Sequence, residues 1–266
     1  MPVLGDGVRA VRNRDGLKST EDVGSAVPVD CGSEISKTRR KLSKGDSAAH
    51  RVNVVKFLID KSPKDVARKS VSDLVMGQLL TPLTGYADAG GVYAIDNGAF
   101  SGFPVDRFRR LLERQEGRKA ECLFVTCPDI VGAGQRSIEL FKRRTLWIPA
   151  GWRVALVAQD GMEDLEIPWD EMDAVFIGGG DPWKDSKASQ DIVKTAVILG
   201  KWVHVGRVNT PKRFELLDKL GADTCDGSGV AMYDHMLEKI ERRNDPKPSL
   251  FDEEIKGGRS VSKAPV

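Results

Sequence analysis

Cysteine, histidine and aromatic side chains are all scarce in this chain of 266 residues. The four cysteines, Cys31, Cys122, Cys127 and Cys225, are too few and too scattered for a disulfide framework, and none pairs as Cys-x-x-Cys. The three histidines, His50, His204 and His235, stand apart from them and from one another, so a zinc site lacks its ligand spacing and no metal is expected. Aromatic residues at 6% are thin for the sugar platforms of a glycoside hydrolase. No apolar run approaches the roughly 20 residues of a membrane span and no signal-peptide pattern opens the chain, so the expected location is the cytoplasm. An excess of one charge is missing too: 41 Lys and Arg against 39 Asp and Glu leave a formal +2, so any nucleic-acid surface must be local.

The chain is rich in glycine, with 27 of them, and in short β-rich apolar runs alternating with amphipathic segments. Residues 1 to about 50 never settle into a period and read as a flexible leader, whose basic cluster Lys37 to Lys41 is a solvated tail or a phosphate contact. Strands are expected over Val52 to Ile59, Leu74 to Leu80, Val92 to Ile95, Cys122 to Thr126, Arg153 to Ala158, Ala174 to Ile177, Trp202 to Val205 and Ala222 to Cys225. Helices are expected over Val105 to Gln115, Gln135 to Thr145, Lys187 to Leu199, Pro211 to Leu220 and Met232 to Arg242. About eight such βα units point to a closed (β/α)8 TIM-like barrel over residues 51–243, followed by a flexible tail from 244 to 266.

A parallel barrel carries its chemistry at the carboxyl ends of its strands. The apolar runs close on Gly77-Gln78, Asp96-Asn97-Gly98, Pro128-Asp129, Gln159-Asp160-Gly161, Gly178-Gly179-Gly180-Asp181, Gly206-Arg207 and Asp226-Gly227. Carboxylates, amides and glycines gather there with no serine triad and no Walker-type loop, which suits the edge of a flat heterocycle. Two further carboxylates, Asp96 and Asp226, are expected to face one pocket and to supply a nucleophile and an acid/base for chemistry at an anomeric carbon. The bland alternative is that Asp-Gly and Asn-Gly are ordinary turns, Asp129 a helix cap and the glycine run a close packing of backbone.

Five ordered motifs favour the sharper reading: Asp96-Asn-Gly-Ala-Phe, Pro128-Asp129, Val157-Ala-Gln-Asp-Gly161, Phe176-Ile-Gly-Gly-Gly180 and Gly221-Ala-Asp-Thr-Cys-Asp226. Together they resemble the tRNA-guanine transglycosylase superfamily, and Phe176 to Lys184 and Lys201 to Asn209 resemble its DNA-modifying branch in phages and bacterial deazaguanine islands. The resemblance covers about residues 52 to 243. It implies that Asp226 is the nucleophile and Asp96 the general acid/base, with Asp129, Gln159, Gly178 and Gly179 holding the base. Gly180 stands where tRNA enzymes commonly have a leucine that helps to read the base's substituent.

The implied activity exchanges guanine in DNA for a 7-deazaguanine such as preQ0, with no cofactor, DNA and the free base as partners, and no membrane. DNA contacts are expected from Arg207, Lys184, Arg213 and His204, although His204 also reads as a barrel-interior residue, and the arginine clusters on helices read equally as solvated faces. The Cys-x-Cys-x-x-Cys zinc module of the tRNA enzymes is missing, which argues against tRNA and leaves the oligomeric state open. The competing readings are a tRNA-guanine enzyme, a glycoside hydrolase, and a barrel that only binds deazapurines or DNA.

Overall fold

The computed structural model describes residues 54–244. The expected leader, with residues 37–41, and the tail from 245 onward lie outside the described residues. Eight parallel strands close into one barrel in chain order: β1 (Lys56–Ile59), β2 (Val75–Leu80), β3 (Tyr93–Ile95), β4 (Cys122–Thr126), β5 (Val154–Ala158), β6 (Ala174–Ile177), β7 (Trp202–Val205) and β8 (Thr224–Cys225). The seam is made by Lys56 opposite Thr224 and Phe57 opposite Cys225. This is the TIM-like architecture that the alternating apolar runs imply.

The helices are α1 (Pro63–Lys69), α2 (Val105–Arg114), α3 (Gly134–Phe141), α4 (Asp181–Lys184), α5 (Lys187–Ile198), α6 (Pro211–Leu220), α7 (Ser228–Met232) and α8 (Asp234–Asn244). Their ends follow local chemistry. In α6, Thr210 accepts from the Arg213 amide, Pro211 opens the first turn, and Gly221 ends the helix at φ 80°. Ser62 and Pro63 start α1 in the same way.

Two connections lack a full helix. Between β2 and β3 the chain carries Pro82, Gly85, Gly90 and Gly91, and the buried side chain of Gln78 holds this loop. Its amide donates to Lys61 O at 2.8 Å and Ala87 O at 2.9 Å, and its oxygen accepts from Ala89 N at 2.7 Å. The strand-end Gln78 is thus a loop clamp. Between β5 and β6 there are only two single 3-10 turns, Met162–Asp164 and Trp169–Glu171.

Because side chains alternate across a strand, the apolar residues sort into two cores. The larger lies between strands and helices and includes Phe57 stacked on Phe214 at 5.3 Å. Removing a ring so buried costs about 3–5 kcal/mol. The smaller fills the barrel with Leu58, Leu79, Ala94, Phe124, Val157 and Phe176.

Candidate active site

Counting two residues onward from the barrel-filling side chains reaches the next inward layer, at the carboxyl ends of the strands. Leu58 leads to Asp60, Leu79 to Thr81, Ala94 to Asp96, Val157 to Gln159, Phe176 to Gly178, His204 to Gly206 and Thr224 to Asp226. These seven residues line a single cavity of about 320 Å³, together with Asn97, Phe100, Asp129, Val131, Arg207 and Met232, whereas Thr126, reached likewise from Phe124, does not line it. Its size sits at the lower end of small-molecule pockets, about 300–1,000 Å³. Gly178 and Gly206 leave the space. A Cβ on Gly178 would stand 2.7 Å from Val157 Cγ1, and one on Gly206 would stand 2.9 Å from the Phe176 ring.

Asp96 and Asp226 therefore share one hollow. Burial pushes Asp96 up to about 7, with the negative charges of Asp226 and Asp129 adding to it and the backbone N–H groups of Gly98 and Asn97 pulling the other way. Its side-chain contact is the Thr126 hydroxyl, donating at 3.4 Å. Asp226 is held at both oxygens. The Arg207 backbone N–H donates to Oδ1 at 3.1 Å, and His204 Nε2 lies 3.1 Å from Oδ2. A third carboxylate, Asp60, is raised to about 6 by burial and by Asp226, against a hydrogen bond from Thr84.

Beside this pair lies a network of amides around Asp129. Asn97 Nδ2 donates to Asp129 Oδ1 at 2.9 Å and to Cys127 O at 2.7 Å, and Gln159 Nε2 donates to Asp129 Oδ2 at 2.7 Å. Gln159 Oε1 accepts from the Gly132 N–H at 3.0 Å, which fixes the amide's orientation. Burial raises the Asp129 carboxyl above its ordinary value while these two amide donors oppose the rise. The Asp129 carboxylate also lines the cavity, where it is an acceptor for an N–H-bearing heterocycle edge.

The glycine run behaves differently from expectation. Gly178 lines the cavity, but the N–H groups of Gly178 and Gly179 both donate to Ala158 O, at 2.9 and 3.2 Å, and the Gly180 N–H donates to Asp160 Oδ2 at 2.8 Å. None of the three amides is left to face a ligand, because they continue the β5–β6 ladder and tie down Asp160. Gly179 is small because the buried Trp183 ring occupies the space beside it, 2.3 Å from where a Cβ would sit.

The Gly178 and Gly179 carbonyls instead accept from the Arg207 guanidinium, at 3.2 and 2.9 Å. Arg207 takes a left-handed backbone, φ 61°, which a non-glycine residue adopts at a cost, and its guanidinium lies over the exposed Phe100 ring at 5.3 Å.

Two of the expected DNA contacts, Lys184 and His204, lie inside the fold. Lys184 is buried, its ammonium donating to Gly206 O at 2.9 Å and pairing with Asp181 at 3.3 Å, so it braces the β7 loop from inside. His204 is wholly buried between the Phe124 and Phe176 rings, the barrel-interior alternative that its place in an apolar run allows. Arg213 is partly exposed but ion-paired with Asp185 at 2.8 Å and Asp181 at 3.2 Å. Arg207 alone of the four lines the cavity.

Two cavity residues, Asp60 and Asn97, are not among those the sequence motifs single out as site residues. Asp60 directly succeeds the first apolar run and is legible by the same strand-end rule, whereas the depth of Asn97 is not. Among the described residues no three His, Cys, Asp or Glu side chains gather in a metal-holding arrangement, and no helix is long and apolar enough to cross a membrane. No family model matches this chain, and no curated protein matches it.

Proposed function

We propose that this barrel is a DNA-guanine transglycosylase, exchanging a guanine of DNA for a 7-deazaguanine through an aspartyl-glycosyl intermediate. The observation that carries the reading is one cavity in which a carboxyl raised to about 7, Asp96, meets a carboxylate held by two neighbours, Asp226, beside the amide-bound Asp129. A pair of carboxyl groups with contrasting surroundings is the pattern that separates acid/base from nucleophile. The ordered sequence motifs supply the substrate class.

In the first half-reaction Asp226 forms a bond to C1′ of an unstacked nucleotide as the bond from C1′ to guanine N9 breaks. The electron pair leaves with the base, and Asp96 supplies the proton that neutralises it. Asp129 accepts from the N–H groups on the base's edge, with Gln159 and Asn97 keeping it in place. After guanine leaves, a deazaguanine occupies the same slot and gives its ring proton to Asp96. Its nitrogen then attacks C1′ and releases Asp226. Because the glycine-run amides are already engaged, stabilisation of the leaving base falls to Asp96. Arg207, stacked over Phe100 beside the cavity, is the side chain best placed to meet a phosphate.

The test is incorporation of labelled guanine, and of a 7-deazaguanine, into DNA oligonucleotides and into tRNA, read by nucleoside mass spectrometry. Incorporation into DNA that disappears in Asp226→Ala, with a covalent DNA adduct on Asp226 in the wild-type protein, is the expected result. Exchange undiminished in Asp226→Ala overturns the assignment, and exchange confined to tRNA overturns the substrate.

A further inference from the structure

A line of side chains climbs the inside of the barrel from β7 to β8 and ends on Asp226. Trp202 Nε1 donates to Thr224 Oγ1 at 3.0 Å, Thr224 Oγ1 lies 2.9 Å from His204 Nδ1, and His204 Nε2 lies 3.1 Å from Asp226 Oδ2. We infer that His204 is a positioning residue for the nucleophile, fixed as its Nε2–H tautomer by Trp202 and Thr224; the inference rests on the role of Asp226 proposed above.

The direction of the line comes from its first member. An indole N–H only donates, so at that contact the Thr224 oxygen accepts and its own hydrogen is left to give. The neighbour placed to take it is His204 Nδ1, and an imidazole that accepts at Nδ1 carries its hydrogen on Nε2, aimed at the carboxylate. The reverse tautomer would set a nitrogen lone pair against a carboxylate oxygen at 3.1 Å. It would also leave the Thr224 hydrogen without an acceptor on the ring.

The ring has little freedom to turn away. Its centroid lies 5.2 Å from that of Phe124 and 4.7 Å from that of Phe176. Asp226 is thus gripped at Oδ1 by the Arg207 backbone and at Oδ2 by His204, which fixes the carboxylate plane. A nucleophile that must reach one carbon in one orientation gains from such fixing.

The charged groups that line the cavity with Asp226 are Asp60 and Lys61 after β1, Asp96 after β3, Asp129 after β4 and Arg207 after β7. Three of these are acidic. Amid these charges the contacts that hold the Asp226 oxygens come from the Arg207 backbone and His204.

The experiment pairs nitrogen NMR of the imidazole in the ligand-free protein with exchange kinetics of His204→Phe, His204→Gln and Thr224→Val. The ring signals should report the Nε2–H tautomer, and Thr224→Val should shift the ring toward Nδ1–H. His204→Phe should keep the Km for DNA while kcat falls about 100-fold. His204→Gln, which retains a donor, should recover about tenfold of that loss. A ring found as Nδ1–H, or a folded His204→Phe with wild-type kcat, overturns the inference. If the wild-type protein exchanges no guanine, the proposed function fails on its own, and the tautomer measured in wild type and Thr224→Val still decides the positioning of Asp226. Thr224→Val serves likewise if His204→Phe does not fold.

Discussion

Asp96 and Asp226 enter one cavity from strands three places apart around the barrel, and the protein treats them oppositely. Asp226 Oδ1 accepts a backbone N–H and its Oδ2 touches an imidazole, whereas Asp96, with a threonine hydroxyl at 3.4 Å and the N–H groups of Asn97 and Gly98, is raised by burial and by two like-charged neighbours. On the proposed mechanism the first is the nucleophile and the second the group that gains and loses a proton.

This asymmetry sets the pH dependence. Exchange needs Asp96 protonated when guanine departs and ionised when the incoming base gives up its proton. With the group raised to about 7, the rate should peak near neutrality and fall on both sides. Asp96→Asn should lower kcat by about 10²–10⁴-fold and flatten the profile through that range, measured as labelled-guanine exchange from pH 5 to 9.

The same group weakens the fold. The folded chain holds the Asp96 proton up to about 7, whereas the ordinary value is 3.8. Between those values the folded state binds more protons than the unfolded one, so the stability this group supports falls as pH rises through the window and levels off above it. Asp96→Asn should therefore be the more stable protein at pH 8, by at most about 4 kcal/mol, with the advantage vanishing near pH 4. Urea unfolding at the two pH values measures it.

Asp129→Asn should act on the base. An amide there sets its NH2 group against the donors of Asn97 or Gln159, which now meet carboxylate oxygens at 2.9 and 2.7 Å. Losing a hydrogen bond to a charged group costs about 1.5–3 kcal/mol, so the Km for the deazaguanine should rise about 10- to 100-fold with a smaller change in kcat. Steady-state kinetics with varied free base separates the two.

Gly178→Ala tests the shape of the slot. The added methyl would stand 2.9 Å from Gln159 Nε2 as well as against Val157, so Gln159 must shift and release Asp129. The variant should lose affinity for the base while unfolding only about 1–3 kcal/mol more easily. Calorimetric titration of the free base and thermal unfolding give both numbers.

Much of the fold is legible in the sequence because strands buried on both faces read as distinct continuous apolar runs. The expected runs at Cys122, Ala174 and Trp202 coincide with β4, β6 and β7, and Pro211 to Leu220 is α6 to the residue. The short helices α1, α4 and α7 escape such a reading, being too brief to show a 3.6-residue period, although Ser62-Pro63 is a legible start signal for the first. Met232 to Arg242 corresponds to α8, which begins two residues later, at Asp234, because Met232 closes α7.

The site is legible where strand position suffices and misleading where depth matters. Asp96 and Asp226 line the cavity because they occupy the uppermost inward positions of their strands. His204 lies two residues before the corresponding position on β7, held by Gly206, and so lies one layer down inside the barrel. Lys184 comes after β6 on a one-turn helix, and nothing in its neighbours tells that its ammonium turns back under the β7 loop. The glycine run invites a reading through its amides, but a strand's last N–H groups still have a ladder to complete.

The strand that precedes Asp226 has only two residues in the sheet, Thr224 and Cys225, and these two pairs zip the cylinder shut against β1. As the shortest of the eight strands, with two pairs on each side, β8 should fray first. Mild heat or low urea should thus silence the protein while its circular dichroism is still native, and a tightly bound nucleotide that spans the fastening should protect both.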